Sequence, residues 1–147
     1  MNPPLVSVIM SIYKEPTQWI KESIESILHQ TLADFEFIII NDNPNRTKNI
    51  TILEKYRKTD DRIIIIKNLN NLGLTKSLNK GLEIAKGEYI ARMDGDDISV
   101  TTRLEKQLER FESDKELILI GTQGRYLYRN NIESNFMQRP LYQSSID

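Results

Sequence analysis

An α/β fold with a mostly parallel central sheet flanked by helices is what the sequence predicts, on three observations. Short β-branched runs alternate with amphipathic helical segments along the chain. The first run lacks the polar alternation of a half-exposed strand, as expected where both faces of a parallel sheet are covered. The residues that follow each of the first four runs are polar, and ligands of open α/β sheets bind beyond the carboxyl ends of the strands.

Leu5–Ile12 reads as the first strand. Pro16 and Thr17 open a helix with Ile20, Ile24, Ile27 and Leu28 at helical spacing. Phe35–Ile40 is the second strand, ending in the turn cluster Asn41–Pro44, and a charged helix over Thr47–Lys58 follows. Arg62–Lys67 is the third strand. After a polar loop over Asn68–Asn71, Leu74, Leu78, Leu82 and Ala85 mark the inner face of a helix closed by Lys86 and Gly87. Glu88–Met93 is the fourth strand. Thr102–Glu105 has the form of a capping box, ahead of a helix with Leu104, Leu108 and Phe111 inside. Glu116–Gly121 reads as a fifth strand, Arg125–Tyr128 as a sixth, and the remainder is polar and irregular.

The fourth strand runs into Asp94-Gly95-Asp96-Asp97. Carboxylates this close repel one another, and a hard divalent cation such as Mg²⁺ or Mn²⁺ relieves that repulsion by taking one or two of them plus phosphate oxygens. Gly95 is expected to let the chain turn tightly between Asp94 and Asp96. Asp-Gly is equally an ordinary turn dipeptide, and acids favour the start of a following helix. A calcium loop fails, because Ser99 stands where its glycine belongs. Convergence favours the cation: Ser11 and Tyr13, Asp42, Asn70 and Asn71, and Asp94 and Asp96 follow four successive strands.

Composition excludes several classes. A net charge of −1 over 147 residues argues against a dedicated nucleic-acid surface. Absence of cysteine removes disulfides, thiolate metal sites and thiol nucleophiles. No basic leader and no apolar run of ~18 residues is visible, so a cytoplasmic protein without a transmembrane segment is expected. Neither Gly-x-Gly-x-x-Gly nor Gly-x-x-x-x-Gly-Lys-Ser/Thr occurs, which disfavours dinucleotide and P-loop folds. A phosphoacceptor receiver domain would need acids after the first strand, where Ser11-Ile12-Tyr13 stands, and nucleotidyltransferases need a Gly-rich first loop. His29, the single histidine, is read as structural, and Trp19 as helix packing or an exposed platform.

Several ordered motifs together are more specific than the acids alone. Val6–Tyr13, Ser23–Thr31, Phe35–Asp42, Asn71–Leu74, Leu78–Leu82, Gly87–Ile90, Asp94–Asp97 and Arg103–Gln107 follow in the order that resembles family 2 glycosyltransferases of the GT-A fold, a Rossmann-like nucleotide-diphospho-sugar transferase architecture. The resemblance spans residues 5–122 as the nucleotide-sugar-binding core of one partial domain, with 123–147 a strand plus irregular tail.

The resemblance implies a nucleotide-sugar donor, a UDP-sugar foremost, and transfer that inverts the anomeric carbon in polysaccharide or glycoconjugate synthesis. By the same resemblance Ser11 and Tyr13 line the nucleoside pocket, with Tyr13 against the base and Asp42 accepting a base N–H. Asn71 and Lys76 stand with the nucleotide, Asp94 beside ribose and metal, and Asp96 ligates the Mn²⁺ or Mg²⁺ that bridges the diphosphate. The implied acceptor is an unspecified glycan or lipid-linked molecule, met in the cytoplasm or at the inner membrane face, with peripheral membrane association and self-association both compatible. Three positions depart from the family pattern: Asn41 replaces an acid, Leu78 an arginine and Thr101 a proline. Family members run further, and the missing carboxyl half is expected to hold the acceptor site and the catalytic base. A non-catalytic nucleotide-sugar-binding module is the alternative.

Overall fold

The computed structural model describes residues 3–125. β1 (Val6–Ile12) lies inside a four-stranded, all-parallel sheet, with β2 (Phe35–Asn41) on one side and β4 (Tyr89–Asp94) on the other. β3 (Ile63–Lys67) pairs with β2, giving the order β3-β2-β1-β4. All seven residues of β1 and of β2 are buried, which is why their sequences show no polar alternation.

Helices cover both faces. α1 (Thr17–Leu28) and α2 (Thr47–Arg57) bring Ile20, Ile24, Ile27, Ile52, Leu53 and Tyr56 into one core with Val8, Met10, Ile12, Phe37, Ile39 and Met93. On the other face Ile9, Ile38 and Ile40 pack with Leu78 and Ala85. Those last two belong to, or directly follow, α3 (Leu74–Ile84). α4 (Arg103–Ser113) contributes Leu104 to the first core. One compact unit runs through Glu109 and holds the sheet and the site below; a second begins at Arg110.

The expected stripe on α3 faces inward only in part: Leu78 and Ala85 pack against the sheet. Leu74 and Leu82 are half exposed, whereas Ser77 and Gly81 are buried. A Cβ at Gly81 would stand 2.5 Å from Ile9 Cγ2, so the helix lies too close to the sheet for a side chain there. Small residues face inward because the backbone itself makes the contact.

Two further expectations fail. Glu105 does not reach back to cap its own helix; its carboxylate accepts the Thr31 hydroxyl at 2.7 Å. Glu116–Gly121 forms no strand, because an apolar run becomes a strand only with a hydrogen-bonded neighbour and none of the described residues pairs with it. The expected sixth strand and the tail lie outside the described residues beyond Arg125.

At the amino ends of the strands a buried network ties β4 to its neighbours. Ser7 Oγ donates to Glu36 Oε1 at 2.6 Å, the Lys86 N–H donates to the same oxygen, and the Gly87 N–H donates to Ser7 Oγ at 2.8 Å. A Cβ at Gly87 would stand 2.4 Å from the Ser7 nitrogen, so glycine is required for this approach.

Candidate functional site

Parallel register brings the carboxyl ends of the strands into one rim. Ser11 lies opposite Ile40 on one side and Asp94 on the other, and Asn41 lies between Ile12 and Lys67. The ladder runs on past the strands: the Asp42 N–H donates to Ile12 O at 2.9 Å and the Asn68 N–H to Asn41 O at 3.1 Å.

Asp42 is 3% exposed and its carboxylate is engaged by the protein. Oδ1 accepts from Asn68 Nδ2 at 2.7 Å and the Leu72 N–H at 2.8 Å; Oδ2 accepts the Gly73 N–H at 2.9 Å. Burial pushes this carboxyl up, but the donors at Leu72, Asn68, Gly73 and Ser77 outweigh it and hold the group below its ordinary value. Gly73 has φ +83°, where a side chain would be strained. Asp42 therefore clamps the loop that enters α3.

Asn41, where the resemblance places an acid, is fully buried and also structural. Its Oδ1 accepts from the Asn43 N–H at 3.1 Å and Asn49 Nδ2 at 3.2 Å, while its own Nδ2 has no partner. Asn49 Nδ2 also donates to Tyr13 O at 2.9 Å, and Arg46 Nη1 to Glu15 O at 2.7 Å, so α2 fixes the backbone of the β1–α1 loop. The Tyr13 ring itself is 40% exposed beside the Lys14 ammonium, 5.8 Å from its centroid. The ring thus stands partly exposed on a loop whose backbone is held by its hydrogen bonds to Arg46 and Asn49. Ser11 is buried at the rim.

At the end of β4 the carboxylates are treated otherwise. Asp94 pairs with Arg92 Nη2, at 2.8 Å from Oδ1 and 3.1 Å from Oδ2, and its backbone oxygen accepts from Ser23 Oγ. Asp96 and Asp97 are exposed. Burial and then repulsion from Asp94 and Asp96 push the Asp97 carboxyl up, against the opposing pull of Arg103 and Arg92. Gly95 has no left-handed backbone; it is confined because a Cβ would stand 2.9 Å from Ile12 Cγ2. The expected turn freedom gives way to close packing against β1.

Among the described residues no group of three or more His, Cys, Asp or Glu side chains is arranged to hold a metal. Asp94 and Asp96 supply hard oxygens of the kind a divalent cation takes, next to one another in the chain around Gly95. Two carboxylates plus phosphate oxygens is the usual way Mg²⁺ is held.

Asn71 and Lys76 are exposed and touch none of the other rim side chains. His29 accepts a structural role, with Nδ1 2.8 Å from Glu25 O, and Trp19 is half exposed. Sequence reasoning missed Arg92, although the strand period of two places it on the Asp94 face. It also missed Arg103, whose Nη1 donates to Arg92 O at 3.1 Å while Nε and Nη2 are buried without partners. Burial draws its guanidinium down against the pull of Asp97.

The parallel sheet with acidic residues at its carboxyl ends is an architecture shared with GT-A glycosyltransferases. The family model described as glycosyl transferase family 2 matches residues 7–144, and the chain belongs to that family. It is 51% identical over 120 residues to an uncharacterized glycosyltransferase of Methanocaldococcus jannaschii, covering 82% of this chain and 41% of that protein. It is 43% identical over 121 residues to one from Haemophilus influenzae, covering 82% of this chain and 37% of the relative. The crystal structure of S. aureus TarS 1-349 in complex with UDP-GlcNAc superposes with TM-score 0.65 at 26% identity, over 77% of this chain and 32% of that one. The chain thus spans about two fifths of the length of the first of these relatives. Among the described residues no helix is long and apolar enough to cross a membrane.

Proposed function

We propose that this domain binds a nucleotide-diphosphate sugar, a UDP-sugar by preference, at the rim of its sheet, as the donor site of an inverting glycosyltransferase. The observation that carries the reading is the register that sets Asp94, with Asp96 just after it, opposite Ser11 at the end of β1, two residues before the exposed Tyr13. TarS, a similar protein, was crystallised with UDP-GlcNAc, which supports a uridine nucleotide here. Tyr13 stacks on the base, and Asp42 accepts a base N–H. Asn71 and Lys76 border the nucleotide from the β3–α3 side. Asp94 and Asp96 hold Mn²⁺ or Mg²⁺, with Arg92 released from Asp94 or retained as a second positive charge. The ion when bound supplies Lewis acidity to the leaving diphosphate. Product synthesis is assigned to cell-surface polysaccharide or glycoconjugate assembly at the cytoplasmic membrane face.

Calorimetric titration with UDP, with and without Mn²⁺, tests the reading. Asp96→Asn keeps the size of the side chain and removes its charge. Binding is expected to fall at least ~10-fold and to lose its Mn²⁺ dependence. Equal affinity in the variant removes Asp96 from the site. Base recognition separates in the same assay: Asp42→Asn weakens UDP more than CDP if Oδ2 reads a uracil N–H.

A further inference from the structure

On the sheet face opposite α3, α1 and α2 lie side by side, and a groove of about 470 Å³ runs between them. Lys21, Lys48 and Lys55 line it, with the hydroxyls of Thr17, Thr47 and Thr51, over a floor at Ile52. No carboxylate lines it. None of these six polar side chains makes a hydrogen bond or ion pair with another described residue.

Nearby acids are engaged elsewhere. Glu22 accepts from Gln18 Nε2 at 2.7 Å, Glu25 accepts from the Tyr56 hydroxyl, and Glu54 pairs with Lys67 at 2.7 Å and Arg57 at 3.1 Å. Three lysines thus line one concave space with no anion among the described residues to meet them. An anion from outside would relieve their mutual repulsion. The first residues of both helices also border the groove, and neither helix has a side-chain cap or an acid in its first turn.

We propose that the α1–α2 groove is a second anion site, separate from the strand-end rim, which takes a phosphate group through Lys21, Lys48 and Lys55. The three lysines carry the attraction, the threonine hydroxyls donate to phosphate oxygens, and Ile52 gives the group's apolar attachment a surface to lie on. A free phosphate and a lipid headgroup present the same chemistry to these side chains, and the two arms of the test separate them.

The test uses the 147-residue chain with divalent metal removed by chelation, so that the rim does not compete. Inorganic pyrophosphate is titrated by calorimetry, and vesicles of phosphatidylcholine with and without phosphatidylglycerol are used in co-sedimentation. The triple variant Lys21→Gln/Lys48→Gln/Lys55→Gln is compared with Lys58→Gln/Lys86→Gln/Lys106→Gln, which removes equal charge from exposed positions elsewhere. Binding is expected to weaken at least ~10-fold in the first variant and less than ~2-fold in the second, since each charge-assisted hydrogen bond to the phosphate adds its own share of the affinity. Response to pyrophosphate alone identifies a free phosphate, and response to anionic vesicles alone a headgroup. Equal weakening in both variants, or no binding to either probe, overturns the proposal. If the groove variant loses its thermal unfolding transition, Lys48→Gln alone serves, with a smaller loss that the Lys58→Gln control must not share.

Discussion

At the end of β2, Asp42 is a buried carboxylate whose two oxygens accept from Asn68, Leu72 and Gly73. At the end of β4, on the other side of β1, Asp96 and Asp97 reach the surface, and partial loss of solvent around the Asp97 carboxyl, then its acidic neighbours, push that group up. The protein therefore completes the coordination of one acid and withholds it from the others. A satisfied carboxylate lowers the energy of the fold. An unsatisfied cluster of acids raises it slightly. Two residues of one type at the same rim thus sit in opposite surroundings, and partner count tells them apart.

The largest effect that can break this comparison is on stability. Asp42→Ala strips the Leu72 and Gly73 N–H groups and the Asn68 amide of their acceptor, and at ~1 kcal/mol or more for each the loss should approach ~3 kcal/mol. Urea unfolding monitored by circular dichroism checks it. Asp96→Asn in the same assay, without metal, should stay within ~0.5 kcal/mol of wild type. Similar losses in the two variants would erase the distinction.

Next come the glycines beside each acid. Gly95→Ala forces a Cβ to 2.9 Å from Ile12 Cγ2 and should cost ~1–2 kcal/mol by overpacking. Gly73→Ala meets no atom within 4 Å but inherits φ +83°, so ~1–2 kcal/mol is expected from the backbone alone. Shortening the neighbour separates the two causes: Ile12→Ala should reduce the penalty of Gly95→Ala and leave that of Gly73→Ala unchanged in a double-mutant cycle.

The smallest signal is in pH dependence. Asp42 is held below its unfolded value, so its contribution is complete above about pH 4 and is lost as pH falls through the folded value. Asp97 is raised, so its sign is reversed: the penalty grows as pH rises from the unfolded value through the folded one. Stability curves from acid to neutral pH should show a shallower acid limb in Asp42→Asn than in wild type. An unchanged limb would mean that other carboxylates carry the acid sensitivity.

The apolar β-branched runs at 6–12 and 35–41 announced the buried strands because burial on both faces leaves no room for alternation, and the run at 63–67 announced a half-buried edge strand. Tyr13, Asp42 and Asp94 were legible as rim residues because parallel strands end on one side. What Asp42 does there was not legible, since its donors arrive from Asn68, Leu72 and Gly73, which only folding brings near. Arg103 was hidden for the same reason. The α3 face misled because leucine marks hydrophobicity, whereas the approach distance at Gly81 decides which side turns inward. Glu116–Gly121 misled because strand formation is a property of a pair.

The clasp between Gly87 and Ser7 closes 80 residues of chain, whereas the Ser7–Glu36 contact closes 29. Loop-closure entropy makes the longer closure dearer by about 1 kcal/mol, so β1, β2 and β3 can assemble as a local unit before β4 joins. The acidic motif rides on that last strand. Amide hydrogen exchange should accordingly find Ala91–Met93 opening at lower free energy than Phe37–Ile39. A ligand that grips Asp94 together with the β1 end would then slow exchange in β4 first, and the domain's weakest seam would become the place where donor binding is felt as rigidity.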